Sequence, residues 1–169
     1  MNPEILRDGI NLKEGSLLKV PFLSPKQLPL AEHLQIKLTD KLIIAYDYQN
    51  CIVASFPCSI AAEKTKRPLG KLKACVLAPN PDYLFDPALF AEVLETSNIK
   101  SKLIIPPGPN NPVGEMWIGL DLKGYGIHGT PWPEEIGKTE SHGCFRLSNW
   151  DVKRLANMIR IGTPVFIEE

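Results

Sequence analysis

Residues 33–56 read HLQIKLTDKLIIAYDYQNCIVASF, and three runs of β-forming residues alternate there with polar turns. In the first run, apolar and polar side chains alternate with a period of two, which is typical of a strand with one buried face. The second and third runs are apolar and are separated by the turn-forming residues 47–50. Together these features predict an antiparallel β-meander.

Short strands and few helices are predicted in the rest of the chain. The strands are expected at 74–77, 116–120, 126–128 and 164–167, and the second and third of these should pair around the turn at Lys123-Gly124. One helix should follow Ser148, whose hydroxyl can cap it, and should stop by Gly162. A second short helix is predicted within 87–96. The fold class is therefore mostly β, with one or two short helices.

Composition limits the classes of function that need to be considered. The 169 residues suit one domain, and 19 basic side chains balance 19 acidic ones. This balance gives no electrostatic footprint for nucleic acid, so we expect no nucleic-acid partner. No apolar run is long enough for a transmembrane segment, and the amino terminus lacks the pattern of a signal peptide. We expect a monomer.

The four cysteines fall into two groups. Cys51, Cys58 and Cys75 lie within or beside apolar runs, where we expect them to act as small buried hydrophobes; a disulfide among them remains open. No CxxC pair occurs, so neither a zinc ribbon nor a thioredoxin-type site is indicated. Cys144 differs, because its neighbours are polar and rich in glycine.

Reactive side chains are concentrated in two segments, IHGTPWP at 127–133 and SHGCFRL at 141–147. A thiol becomes an effective nucleophile when an imidazole accepts its proton, and acyl chemistry also needs donors for an oxyanion. Cys144 can supply the thiol, and the backbone around Gly143 can supply donors. From the residues alone, His128 and His142 are both candidates for the base.

Other interpretations of the same residues remain open at this point. Two histidines and one cysteine can also bind zinc, although no fourth ligand is evident. The three side chains can equally be structural. Arg146 suits a substrate carboxylate, because its guanidinium forms a planar fork, but it can also be a solvated charge.

At these residues the sequence resembles the L,D-transpeptidase (YkuD-type) family. The resemblance rests on the His-Gly-Thr of 128–130 and on the Ser-His-Gly-Cys-apolar-Arg-Leu of 141–147, and it extends over residues 33–168. It implies that residues 33–169 form the catalytic domain, a β-sandwich with the cysteine beneath a flap. The turn-rich segment 1–32 resembles part of a LysM glycan-binding repeat.

The resemblance also implies a reaction. Cys144 would attack the carbonyl of the third residue of a peptidoglycan stem tetrapeptide and release D-alanine. An amine of a neighbouring stem would then take the acyl group and form a 3–3 cross-link, as part of cell-wall organisation and the maintenance of cell shape. Carbapenems should acylate the same thiol. The family works without metal or cofactor and acts outside the cytoplasm, in the periplasm or the cell wall.

Site residues follow from the same resemblance. His128 would be the base, and the Gly129 carbonyl would orient its ring. His142 and Gly143 would form the wall and oxyanion region around the thiol. The expected substrate-binding residues are Ser141, Arg146, Tyr125 and Trp132.

Three alternatives to cross-linking remain. Water can take the acyl group in place of the amine, which would make the protein an L,D-carboxypeptidase. A lysine of another protein can take it, which would make a protein-to-peptidoglycan ligase. The domain can also bind the cell wall without catalysis.

Overall fold

The computed structural model describes residues 28–87, 101–138 and 143–169. Within them, ten strands and one α-helix account for most of the regular structure. In chain order they are β1 His33–Lys37, β2 Leu42–Tyr46, β3 Ile52–Pro57, β4 Gly70–Pro79, β5 Tyr83–Phe85, β6 Leu103–Ile105, β7 Met116–Leu120, β8 Gly126–His128, β9 Phe145–Arg146, α1 Asn149–Met158 and β10 Pro164–Glu168.

Eight of the strands form one continuous sheet in the order β3-β2-β1-β10-β4-β7-β8-β9. Strands β1 and β10 are parallel, as are β8 and β9, and the other neighbours are antiparallel. The long strand β4 pairs with β10 through residues 70–73 and with β7 through residues 74–79. A strand that changes partners in this way lets a sheet curl around its own core. The predicted mostly β fold, including the meander of β1 to β3, is confirmed.

The core is one contiguous apolar cluster, which includes the inward-facing residues Leu34 and Ile36 of β1. Helix α1 contributes Val152, Leu155 and Met158 to it. The predicted start of this helix is confirmed, because the hydroxyl oxygen of Ser148 accepts a hydrogen bond of 3.2 Å from the backbone N–H of Asp151. The helix is thus fixed at the end that faces the reactive segments.

The cysteines agree only in part with the sequence prediction. Cys58 is fully buried, and burial raises the pKa of its thiol to about 12, although the nearby Lys41 charge lowers it. The prediction that Cys51 and Cys75 are buried is wrong, because both are exposed, and none of the four cysteines forms a disulfide. Cys51 lies in the turn before β3, and Cys75 lies at an irregularity in the pairing of β4 with β7, where the extra residue turns out of the ladder.

Several sequence predictions fall outside the described residues. Nearly all of the second predicted helix, within 87–96, lies there, and so does most of the LysM-like segment at 1–32. Ser141 and His142 lie there as well.

Asn111 holds together the base of the two-stranded hairpin formed by β5 and β6. Its side-chain nitrogen lies 3.2 Å from the Pro81 carbonyl oxygen, before β5, and 3.3 Å and 3.0 Å from those of Ile105 and Pro106, at the end of β6. Its side-chain oxygen accepts a hydrogen bond of 2.9 Å from Val113 N–H. Because Asn111 is buried, its side-chain amide, rather than water, is the hydrogen-bond partner of these four backbone groups.

We predict that Asn111→Ala lowers the free energy of unfolding by about 1–3 kcal/mol, because it leaves buried backbone groups without partners. Urea denaturation measures this change. The matched control is Asn110→Ala, since Asn110 is exposed and its loss should change stability by less than about 0.5 kcal/mol. Equal effects of the two substitutions would mean that the amide does not stabilise the hairpin base.

Candidate active site

Strand pairing brings the two reactive segments together. Strands β8 and β9 are parallel neighbours, with Ile127 opposite Phe145 and His128 opposite Arg146. Ile127 and Phe145 are buried in the core. Because side chains alternate between the faces of a sheet, His128 and Arg146 project from the opposite face, as does Cys144, two residues before Arg146.

An open cleft of about 620 Å³ lies on this face. It contains most of the predicted site residues that the structure describes. Trp132, however, is not among the described residues that line the cleft. The chain turns after β8, where the Trp132 N–H donates a hydrogen bond of 3.2 Å to the Thr130 hydroxyl, and the indole is half exposed. The lining residues are Lys66, Tyr83, Phe85, Pro112, Val113, Trp117, Lys123, Gly124, Tyr125, His128, Gly143, Cys144 and Arg146.

His128 is held in one orientation by the residue that follows it. Its Nδ1 atom lies 2.7 Å from the Gly129 carbonyl oxygen. A carbonyl oxygen only accepts hydrogen bonds, so Nδ1 must carry the hydrogen. In the neutral ring, Nε2 then has the free lone pair, as a general base requires.

The imidazole is neutral at physiological pH. The pKa of His128 is lowered from 6.5 to about 4: burial is the largest cause, the Gly129 hydrogen bond raises the pKa, and the Arg146 charge lowers it. The residue is 5% exposed, so desolvation of the charged ring is the expected dominant cause. A neutral imidazole can accept a proton from a neighbouring group.

Trp117 forms one side of the histidine environment. Its ring stacks on the His128 ring, with centroids 5.6 Å apart and planes inclined by 21°. Gly126 makes room for the indole, since a β-carbon at position 126 would lie 2.5 Å from Trp117 Cζ2. No sequence motif marked Trp117 as a site residue, although its position on the strand predicted to pair with that of His128 is a usable signal.

The thiol of Cys144 is partly buried and lies 3.5 Å from the Gly124 carbonyl oxygen, to which it can donate. Burial raises the pKa of this thiol, whereas a backbone hydrogen bond at Gly126 and the Arg146 charge lower it. The net direction is upward, so the thiol retains its proton at neutral pH. A neutral thiol and a neutral imidazole therefore share the cleft.

The hairpin of β5 and β6 reaches the same cleft through Tyr83 and Phe85. The pKa of the Tyr83 phenol is raised by burial and by the Cys144 charge, and is lowered by the Arg146 charge. The phenol and both of these groups line the same cleft. No motif in the sequence marked Tyr83, because it is brought to the cleft by a hairpin whose return strand begins 20 residues downstream at Leu103.

The charged residues that line the cleft are Lys66, Lys123 and Arg146. Among the described residues, no aspartate or glutamate lines it. A cleft with cations at its wall and aromatic rings on its sides suits an anionic ligand with apolar parts. Chemically, the site brings together a thiol, an imidazole and cationic side chains that can bind a carboxylate.

The described residues contain neither a metal-binding cluster nor a membrane-spanning helix. Ranges 28–87, 101–138 and 143–169 contain no group of three histidine, cysteine, aspartate or glutamate side chains able to hold a metal ion. In the same ranges, no helix has the length and apolar character needed to cross a membrane.

Comparisons with known proteins agree with this geometry. A family model of the L,D-transpeptidase catalytic domain (YkuD) matches residues 31–167. YqjB of Bacillus subtilis, a protein named for the L,D-transpeptidases, is 37% identical over 118 residues, which cover 66% of this chain and 58% of that protein. The chain spans less than two thirds of the length of the curated relatives at the head of this comparison. The family match leaves residues 1–30 outside and lends no support to the LysM-like resemblance.

Solved structures share the fold. An L,D-transpeptidase from Mycobacterium smegmatis superposes with a TM-score of 0.62 at 19% identity, covering 82% of this chain and 59% of that one. The L,D-transpeptidase LdtMt1 in complex with imipenem superposes with a TM-score of 0.56 at 15% identity, covering 80% and 57% of the two chains. Because the sequence identities are this low, the structural similarity shows a shared fold and nothing further.

We predict that His128 takes up a proton in the native protein with a midpoint near pH 4, because its burial disfavours the charged ring. Histidine NMR resonances followed through a pH titration measure this midpoint, and His128→Gln assigns them. Between pH 6.5 and about 4 the unfolded chain binds a proton that the native state does not, so the free energy of unfolding should rise with pH in that window. A native midpoint close to 6.5 would contradict the assignment of a desolvated, neutral base.

Proposed function

Because the chain belongs to the L,D-transpeptidase catalytic domain family, we propose that it is a cysteine-dependent enzyme that forms 3–3 cross-links in peptidoglycan. Cys144 is the proposed nucleophile and His128 the proposed base. The supporting observation is their common position: both line one cleft, on the same face of two hydrogen-bonded strands.

In the first half-reaction, the sulfur of Cys144 attacks the carbonyl carbon of the third residue of a stem tetrapeptide. The thiol proton passes to Nε2 of His128 as the carbon–sulfur bond forms. The backbone N–H groups of Gly143 and Cys144 are the proposed donors to the oxyanion. The intermediate collapses when the bond to the terminal D-alanine breaks, and the imidazolium returns its proton to the departing amine.

In the second half-reaction, an amine of a neighbouring stem attacks the thioester. His128 removes a proton from this amine, the carbon–sulfur bond breaks, and the imidazolium passes that proton to the departing thiolate. The Gly129 hydrogen bond supports this sequence of steps, because it leaves Nε2 as the atom that gains and loses the proton. The raised thiol pKa and the lowered imidazole pKa are consistent with proton transfer during the attack rather than before it.

Recognition of the donor is proposed to use the charge of the cleft. Arg146 binds a donor carboxylate, and Tyr125 forms part of the wall beside the peptide. The roles of Ser141 in hydrogen bonding and of His142 in the wall around the thiol follow from the family resemblance alone. Trp132 can contact only a part of the substrate that extends beyond the described lining of the cleft.

The setting of the reaction is a proposal as well. We place the protein outside the cytoplasm, in the periplasm or the cell wall, because peptidoglycan stems are found there. Residues 33–169 are the proposed catalytic domain, acting as a monomer. For residues 1–32, the LysM-like resemblance stays a prediction.

The test is the release of D-alanine from a disaccharide-tetrapeptide. Cys144→Ala should lower this release by at least about a thousandfold, because the covalent step is lost. The matched control is Cys75→Ala, which removes an exposed thiol outside the cleft and should leave the rate within about twofold. Release by Cys144→Ala at the control rate would refute the assignment of the nucleophile.

The same assay, with and without an acceptor stem, separates the reactions that share the thioester. Mass spectrometry of the products should find a 3–3 linked dimer when an acceptor stem is present. Tripeptide as the sole product in both conditions would identify a carboxypeptidase instead. If the tetrapeptide stays intact in every condition, the protein does not catalyse the reaction, and wall binding is the function that remains.

A further inference from the structure

We propose that Asn149 is a positioning residue for His128 and that it acts through the backbone of Gly129. Asn149 is the first residue of α1, and its side-chain oxygen accepts a hydrogen bond of 3.0 Å from the N–H of Glu115, just before β7. The amide therefore links the start of the helix to the chain that enters the strand beside His128. The consequence for catalysis rests on the function proposed above.

Two glycines make the space that this amide occupies. A β-carbon at Gly129 would lie 2.1 Å from the Asn149 side-chain oxygen, and a β-carbon at Gly114 would lie at the same distance. Non-bonded atoms do not approach so closely, so neither position can carry a side chain while Asn149 stays in place. The backbones of the two glycines also approach each other, since a Gly114 β-carbon would lie 2.7 Å from Gly129 Cα.

Gly129 is the step between Asn149 and the base. Its N–H donates to the Met116 carbonyl oxygen at 3.2 Å, and its own carbonyl oxygen accepts from His128 Nδ1 at 2.7 Å. The strand β7 thus holds one side of this residue, and the Asn149 amide fills the other. If the amide were absent, Gly129 could shift, and a hydrogen bond of this kind weakens steeply with misalignment. The imidazole would then lose the acceptor that selects its tautomer.

The residues around Asn149 hold its backbone, and therefore its side-chain amide, in place. Ser148, which caps α1, is buried, so the backbone of Asn149 is held at the helix start. A second contact joins the same elements, because Lys153 on the next turn of α1 forms an ion pair with the Glu115 side chain. The lysine side of this pair is exposed, and neither side chain is among the atoms nearest to the position of a Gly129 β-carbon. Lys153 is therefore the matched control for a general loss of helix docking.

Asn149→Ala should change both the base and the chemistry. We expect the rate constant for acylation of Cys144 by imipenem, followed by intact-mass spectrometry, to fall about 10- to 100-fold, as when supporting hydrogen bonds of a site are lost. Nitrogen-15 NMR of His128 should change from a single tautomer protonated at Nδ1 to a mixture of both tautomers. Lys153→Ala should keep the single tautomer and acylate within about twofold of the wild-type rate.

Two further variants test the route through Gly129. Gly129→Ala alone should lower the acylation rate, because its methyl group meets the amide oxygen. In an Asn149→Ala background, where that oxygen is absent, Gly129→Ala should lower the acylation rate by a smaller factor. The effects of the two substitutions on the rate should therefore not be additive. Asn149→Asp keeps an acceptor of the same shape in the first turn of a helix, where negative charge is tolerated, and should restore the single tautomer.

The outcomes separate this inference from the proposed function. A single tautomer in Asn149→Ala, with acylation equal to that of Lys153→Ala, overturns the inference. If Asn149→Ala does not fold, a folded Asn149→Asp with mixed tautomers overturns it as well. If the wild-type protein shows no imipenem adduct while the tautomers respond as expected, the proposed function fails and the positioning role stands.

Discussion

The hydrogen bond from His128 Nδ1 to the Gly129 carbonyl oxygen is the interaction on which the rest of the site depends. It joins adjacent residues, yet it determines which nitrogen of a buried ring can take a proton. Because the ring is desolvated, its charged form is disfavoured, and a proton accepted at Nε2 is readily passed on. The orientation and the burial of this imidazole therefore leave it neutral, with Nε2 available to accept a proton.

The curled sheet serves this arrangement in several ways. The parallel pairing of β8 with β9 places His128 and Cys144 on one face, while their neighbours Ile127 and Phe145 anchor both strands in the core. Gly126 lets Trp117 cover the ring, since a side chain there would collide with the indole. The hairpin of β5 and β6 brings Tyr83 to the cleft that contains the thiol. Trp117, His128, Cys144 and Tyr83 thus line one cleft.

Local patterns in the sequence were sufficient for much of the fold. The period-two run at β1 and the Ser148 cap of α1 are short-range signals, and both elements form where they were predicted. The functions of Asn111 and Asn149 depend on partners up to 34 residues away, and no local pattern identifies such contacts. The exposure of Cys75 likewise comes from an irregularity in strand pairing, which is a property of two strands together. The residues alone identified Cys144 as the candidate nucleophile, the family resemblance favoured His128 over His142 as the base, and the geometry around them came from the structure.

The most direct measurement is to identify which atom carries the acyl group. The protein would be mixed with a stem tetrapeptide, quenched in acid during turnover, digested and analysed by mass spectrometry. The account predicts an adduct with the mass of the donor less D-alanine, attached to the peptide that contains Cys144. The same adduct on a peptide that contains Cys51 or Cys75, or D-alanine release with no covalent adduct at any time point, would contradict it.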